Sequence, residues 1–150
     1  MIVKLLKIFL FIISFSISAQ INNDLNQNKY FELEINLLKI KKPGIAFIAI
    51  YNNSLDFNSS DESKNRITYA LKENVKKGSF SKVVVVEHGT YGIKIYIDKN
   101  NNNKFDFNII GIPKEQFGFS NDAISLLGPP SFKNASFDVV DNKTIYIKMK

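Results

Sequence analysis

The strongest regularity along the chain is alternation. From Tyr30 the apolar residues Phe31, Leu33, Ile35 and Leu37 alternate with Glu32, Glu34 and Asn36. That two-residue period gives a strand one buried and one solvated face. Pro43-Gly44 supplies a turn. Gly44 to Tyr51, β-branched and aromatic with almost no polar break, predicts a strand covered on both sides and paired with the first as a hairpin. Asn52 to Asn65 predicts a loop with room for one turn of helix, and Arg66 to Lys72 a short edge strand. Phe80 to Val86 predicts another strand, followed by a turn at Glu87-His88-Gly89. Thr90 to Ile97 then sets Tyr91, Ile93, Ile95 and Ile97 against Gly92, Lys94 and Tyr96, and runs straight into Asp98.

Periodicity fails from Asp98 to Asn134, which holds three of the four prolines together with Gly111, Gly118 and Gly128. A stretch of that length without regular structure is usually functional or disordered. Ala135 to Val140 and Thr144 to Met149, joined at Asp141-Asn142-Lys143, predict a closing hairpin. Six or seven short strands with turn signals between them predict an all-β domain over residues 30–150. The expected fold is a single antiparallel β-sandwich, immunoglobulin-like or prealbumin-like, with a long loop at about 98–134. No internal repeat or second domain is visible.

The first residues break this pattern. Lys4 and Lys7 precede an apolar run from Ile8 to Phe15, and small residues Ser16, Ser18 and Ala19 precede Gln20. Residues 1–19 read as a signal peptide cut after Ala19, with 20–29 as a flexible polar leader. The apolar run is shorter than the roughly 20 residues that span a bilayer, so the mature chain is expected to carry no transmembrane helix; a retained anchor is the alternative. The expected destination is the periplasm or the outside of the cell.

Composition narrows the chemistry. With no Cys, lipoprotein acylation, thiol catalysis and Cys-built zinc sites are excluded, and the single His88 excludes sites that need two imidazoles. The formal charge of +6 becomes +4 once Lys4 and Lys7 leave with the signal. The remaining lysines are scattered, with pairs at Lys41-Lys42 and Lys76-Lys77 and no Arg cluster, so nucleic acid is not an expected partner. They read as solvated surface.

The sharpest local feature is Asp98-Lys99-Asn100-Asn101-Asn102-Asn103-Lys104-Phe105-Asp106. Oxygen-bearing side chains at Asp98, Asn100, Asn102 and Asp106 occupy positions 1, 3, 5 and 9, with the Lys104 carbonyl at position 7. This is the spacing of calcium loops, in which short oxygen ligands converge on a tight turn. Asn103 takes position 6, where positive φ is needed and Asn is tolerated. Position 12 is Ile109 instead of Glu, so the loop is not an EF-hand. With two carboxylates, or a third borrowed from Glu115, the expected site is a weak, structural Ca²⁺ site. The alternative is a metal-free loop whose amides cap each other and the backbone.

Ordered blocks continue past this loop: Gly89 and Tyr91; Asp98, Asn100, Asn102 and Asp106; Gly111-Ile112-Pro113-Lys114-Glu115; Gly118-Phe119-Ser120-Asn121; Gly128-Pro129-Pro130-Ser131-Phe132; and Ala135. In these blocks the chain resembles the exported bacterial domain of unknown function 2141 family, over roughly Phe31 to Met149. Members typically have His before the first Asp of the loop and Gly after its second Asn, where this chain has Ile97 and Asn103. The resemblance implies an exported β-sandwich and no particular reaction.

Other constellations carry less. Phe117-Gly118-Phe119-Ser120 and the Pro129-Pro130 segment could offer a binding surface, or fold back over the end of the sandwich. His88 reads as a surface imidazole, and Ser120 and Ser131 lack a nucleophile-elbow context. The expectation is a non-enzymatic envelope protein, a binding or structural module for a protein or glycan of the cell envelope. Its rival is a hydrolase acting on envelope carbohydrate with two of Asp98, Asp106 and Glu115.

Overall fold

In the computed structural model, residues 30–59 and 66–150 are described. The expected signal peptide and leader lie outside them. Eight strands run through these residues: β1 (Tyr30–Ile40), β2 (Gly44–Tyr51), β3 (Tyr69–Val75), β4 (Gly78–Glu87), β5 (Gly89–Asp98), β6 (Gln116–Phe119), β7 (Phe137–Val139) and β8 (Lys143–Lys148). Two short helices, α1 (Ser54–Asn58) and α2 (Phe132–Ala135), and a 3₁₀ turn at Ser120–Asp122 complete them. One sheet has the order β4-β1-β8; the other has the order β3-β2-β5-β6, with β7 also pairing β5.

The alternation read from the sequence sets the core. Leu33, Ile35 and Leu37 of β1 meet Ala46, Ile48 and Ile50 of β2 and Ile93, Ile95 and Ile97 of β5 in one buried cluster. Two sheets thus pack face to face as an all-β sandwich.

Both expected hairpins are replaced by crossings between the sheets. β1 pairs antiparallel with β4, Leu33 opposite Val84, and parallel with β8, Ile35 opposite Ile145. β2 pairs with β3 and β5 instead. The reason lies in burial: β1 and β2 each need a covering layer for their apolar faces, and each covers the other. Lys39, at φ 60°, sits within the register shift between Leu37 and Ile40. Such a bulge bends a strand, and here the chain leaves one sheet for the other at that point. At the C-terminus β7 joins β5, with Phe137 opposite Tyr91, while β8 joins β1. Val139 and Ile147 are both fully buried.

The expected edge strand is β3, which pairs only with β2 in the sheet order. The expected helical turn is α1, capped by the Asn53 side chain, which accepts Asp56 N–H at 2.9 Å. The segment 98–134 is more ordered than its composition suggested, since it contains β6, the 3₁₀ turn and part of α2.

Aromatic rings cover the outer face of the larger sheet. Phe47 and Tyr96 stack at 4.8 Å, and Phe105 packs on Tyr96 at 5.3 Å and on Phe117 at 5.9 Å. Phe119 packs on a second cluster around Tyr51, Phe57, Ala123 and Ala135. Phe117 and Phe119 therefore lie along the sheet, half-buried, instead of plugging an end of the sandwich.

Candidate functional site: the Asp98–Asp106 loop

β5 delivers Asp98 to the end of the sheet, where the residue is 1 % exposed. Gly44 permits this, because a Cβ there would collide with the main-chain carbonyl of Asp98. The chain then winds around the carboxylate. Asp98 Oδ1 accepts the N–H groups of Asn100 (3.2 Å), Asn101 (2.6 Å) and Asn102 (3.3 Å), and Oδ2 accepts that of Asn103 (2.7 Å). Consecutive N–H groups can point inward only if the backbone coils tightly, and Asn101 and Asn103 both adopt φ 60°. The positive φ expected at Asn103 is present. Asn tolerates it because its short amide bonds locally.

A second layer closes the loop from above. Asn100 Nδ2 and Asn102 Nδ2 donate to Asp106 Oδ2 at 2.7 and 2.9 Å. Asn102 Oδ1 accepts Lys104 N–H at 2.9 Å, and Lys72 Nζ donates to Asn103 Oδ1 at 2.6 Å. Glu115, 4 % exposed, joins the two ends: Oε1 accepts Lys99 N–H at 3.0 Å and Oε2 accepts Asp106 N–H at 3.3 Å.

Of the five expected ligands, Asn100, Asn102 and Asp106 are joined through their side chains. Asp98 Oδ1 and Asn100 Oδ1 share the Asn102 N–H at 3.3 Å each, and Lys104 joins the network through its N–H. The carboxylates named for the rival hydrolase, Asp98, Asp106 and Glu115, all accept hydrogen bonds from within this segment. His88 is exposed, while Ser120 is fully buried and bridges Ile93 N–H to the Ala135 carbonyl.

The family model described as "Uncharacterized protein conserved in bacteria (DUF2141)" matches residues 33–147. The chain belongs to this family. The match runs through this DUF2141 chain from β1 into β8 and includes the Asp98–Asp106 loop. No curated protein and no solved structure matches the chain. Among the described residues of this DUF2141 chain, no helix is long and apolar enough to cross a membrane.

Sequence reasoning missed the turn that follows the loop. Phe107 and Pro113 form an isolated β-bridge, and between them Asn108 caps a turn carrying Ile109, Ile110 and Ile112. The available signal was three isoleucines around Gly111, too apolar for an ordinary solvated loop.

Proposed function

We propose that the domain is an exported, non-enzymatic binding module of the cell envelope, and that the Asp98–Asp106 loop is its structural brace. The observation that carries this reading is the occupancy of the Asp98 carboxylate by four backbone N–H groups. A carboxylate committed to four donors holds a fold together; a general acid or nucleophile needs an oxygen aimed at substrate. Glu115 is committed in the same way to both ends of the loop.

The donors around Asp106 also suit a weak structural Ca²⁺ site. Asn100 and Asn102 offer amide nitrogens to Asp106 Oδ2; a cation bound there would turn both amides, and their oxygens would leave the N–H groups of Asn102 and Lys104 to ligate it. Asn100, Asn102 and Asp106 would then be the side-chain ligands, and Asp98 would shape the turn beneath them. With few charged ligands, such a site belongs to the weak end of the calcium range.

Calorimetric titration with CaCl₂, run beside Asp106→Ala, tests the ion. Heat in the parent that disappears in the variant supports it, and no heat with no change in melting temperature removes calcium from the reading. The rival hydrolase is tested on envelope polysaccharide with Glu115→Gln: glycan cleavage by the parent that this substitution abolishes would overturn the non-enzymatic reading.

A further inference from the structure

Past the loop the chain forms a turn that holds apolar side chains out in solvent. Ile109 is 104 % exposed, Ile110 73 %, Ile112 55 % and Phe107 51 %. The turn is pinned in that shape. Asn108 N–H donates to the Ile112 carbonyl at 2.9 Å, Gly111 N–H donates to the Asn108 carbonyl at 3.0 Å, and Asn108 Oδ1 accepts the N–H groups of Ile110 and Ile112 at 3.0 and 2.9 Å. Gly111 takes φ 78°, which suits a residue without Cβ. The turn is anchored on the brace, since Lys114 N–H donates to the Asp106 carbonyl at 2.8 Å. Hydrogen bonds therefore hold these apolar side chains outward, and grouped exposure of this kind marks an interaction site.

Charge stands at the foot of the same turn. Lys41, Lys42, Lys99 and Lys114 line one shallow cleft of about 120 Å³ with Ile97 and Gln116. Gln116 Oε1 holds Lys41 N–H at 2.7 Å, and Lys99 Nζ reaches the Lys114 carbonyl at 2.7 Å. Among the described residues no carboxylate pairs with any of these four ammonium groups. Four cations gathered without acidic partners among the described residues call for an anionic surface. An apolar tip beside them fits a surface that is anionic outside and apolar within.

We infer that this end of the sandwich docks on a bilayer containing anionic phospholipid, with Ile109, Ile110 and Ile112 entering the boundary between headgroups and acyl chains. Lys41, Lys42, Lys99 and Lys114 then face the headgroup phosphates. The inference rests on the binding-module reading and names its partner. It does not depend on calcium: an intact calcium response without vesicle binding would sink this inference alone.

The test is co-sedimentation of the protein with phosphatidylcholine vesicles, with and without phosphatidylglycerol. Variants are Ile109→Ser with Ile110→Ser, and Lys41→Gln with Lys114→Gln, each in the exported form that begins at Gln20. The parent should prefer the anionic vesicles. Each lysine removed should weaken binding by about fivefold, and added salt should do the same to the parent. The isoleucine pair should lose binding while keeping the parent's melting temperature, because these side chains are exposed. Equal binding by the parent and the isoleucine variant would overturn the inference. So would indifference to phosphatidylglycerol, complete displacement by inorganic phosphate, or a parent dimer that the isoleucine substitutions dissociate, which would make the tip an interface between copies.

Discussion

The Asp98 carboxylate accepts the backbone N–H of Asn103 at 2.7 Å, five residues ahead of it, and Asn103 makes that reach in a left-handed backbone conformation. The loop is therefore organised around a buried acceptor, and its outward-facing amides form a second layer on top. Four expectations follow from this and from the packing around it.

Asp98→Ala removes the acceptor of four N–H groups at a position 1 % exposed. The loss should be about 2–4 kcal/mol, because four hydrogen bonds to one buried carboxylate disappear together. Asn100→Ala removes an exposed amide and should cost about 1 kcal/mol or less. Urea unfolding of the two variants checks the ranking. A loss no larger at Asp98 than at Asn100 would show that the inner layer is not what holds the loop.

Ser120 is fully buried, and its hydroxyl accepts Ile93 N–H while donating to the Ala135 carbonyl, which ties β5 to the end of α2. Ser120→Ala should cost about 1–3 kcal/mol, since both backbone groups lose their partner away from water. Faster amide exchange at Ile93 in the variant would localise the effect. An unchanged exchange rate there would contradict it.

Gly118 faces the smaller sheet. A Cβ added there would lie 2.8 Å from Ile147 Cγ2 and 3.2 Å from Met149 Sδ. Gly118→Ala should destabilise by about 1–3 kcal/mol through overpacking. Pairing it with Ile147→Leu, which removes the Cγ2 branch that the new methyl group meets while keeping the side chain's volume, should recover part of that loss. Thermal melts of the single and double variants decide it, and strictly additive losses would mean the two sites are not in contact.

Tyr91 has its phenol pushed up to about 12, chiefly by burial and then by the neighbouring Tyr69. Its hydroxyl donates to the Glu87 carbonyl at 2.8 Å. The folded state thus holds this proton more tightly than the unfolded chain, whose tyrosine keeps the ordinary value of 10.0. The resulting stability is complete below pH 10.0 and is lost as pH rises from there towards about 12. Tyr91→Phe should cost about 0.5–1.5 kcal/mol at neutral pH through the lost hydrogen bond. That difference should shrink as the solution becomes alkaline. Unfolding curves across the alkaline range test this, and a constant difference would refute it.

Local sequence determined a good deal. Alternation in β1 and β5 marked which side chains enter the core, and the spacing of Asp98, Asn100, Asn102 and Asp106 marked a tight oxygen-rich turn with positive φ at Asn103. These are properties of neighbouring residues, set by strand pleat and by the steric freedom of Asn. Partner choice is a different kind of property. Whether β1 pairs β2 or faces it across the core depends on where every other apolar face finds cover, so the two expected hairpins gave way to pairings with β4, β8 and β5. The same holds for chemistry: Lys41, Lys42, Lys99 and Lys114 look scattered along the chain and share one cleft in space. Asp98 was expected from the sequence as one of several oxygens turned toward a common centre, and the fold adds what spacing alone does not give: its carboxylate accepts four backbone N–H groups of its own turn. The periodicity of a strand is written within it; its neighbours, and the charges they bring together, are set only when both sheets close on a common core.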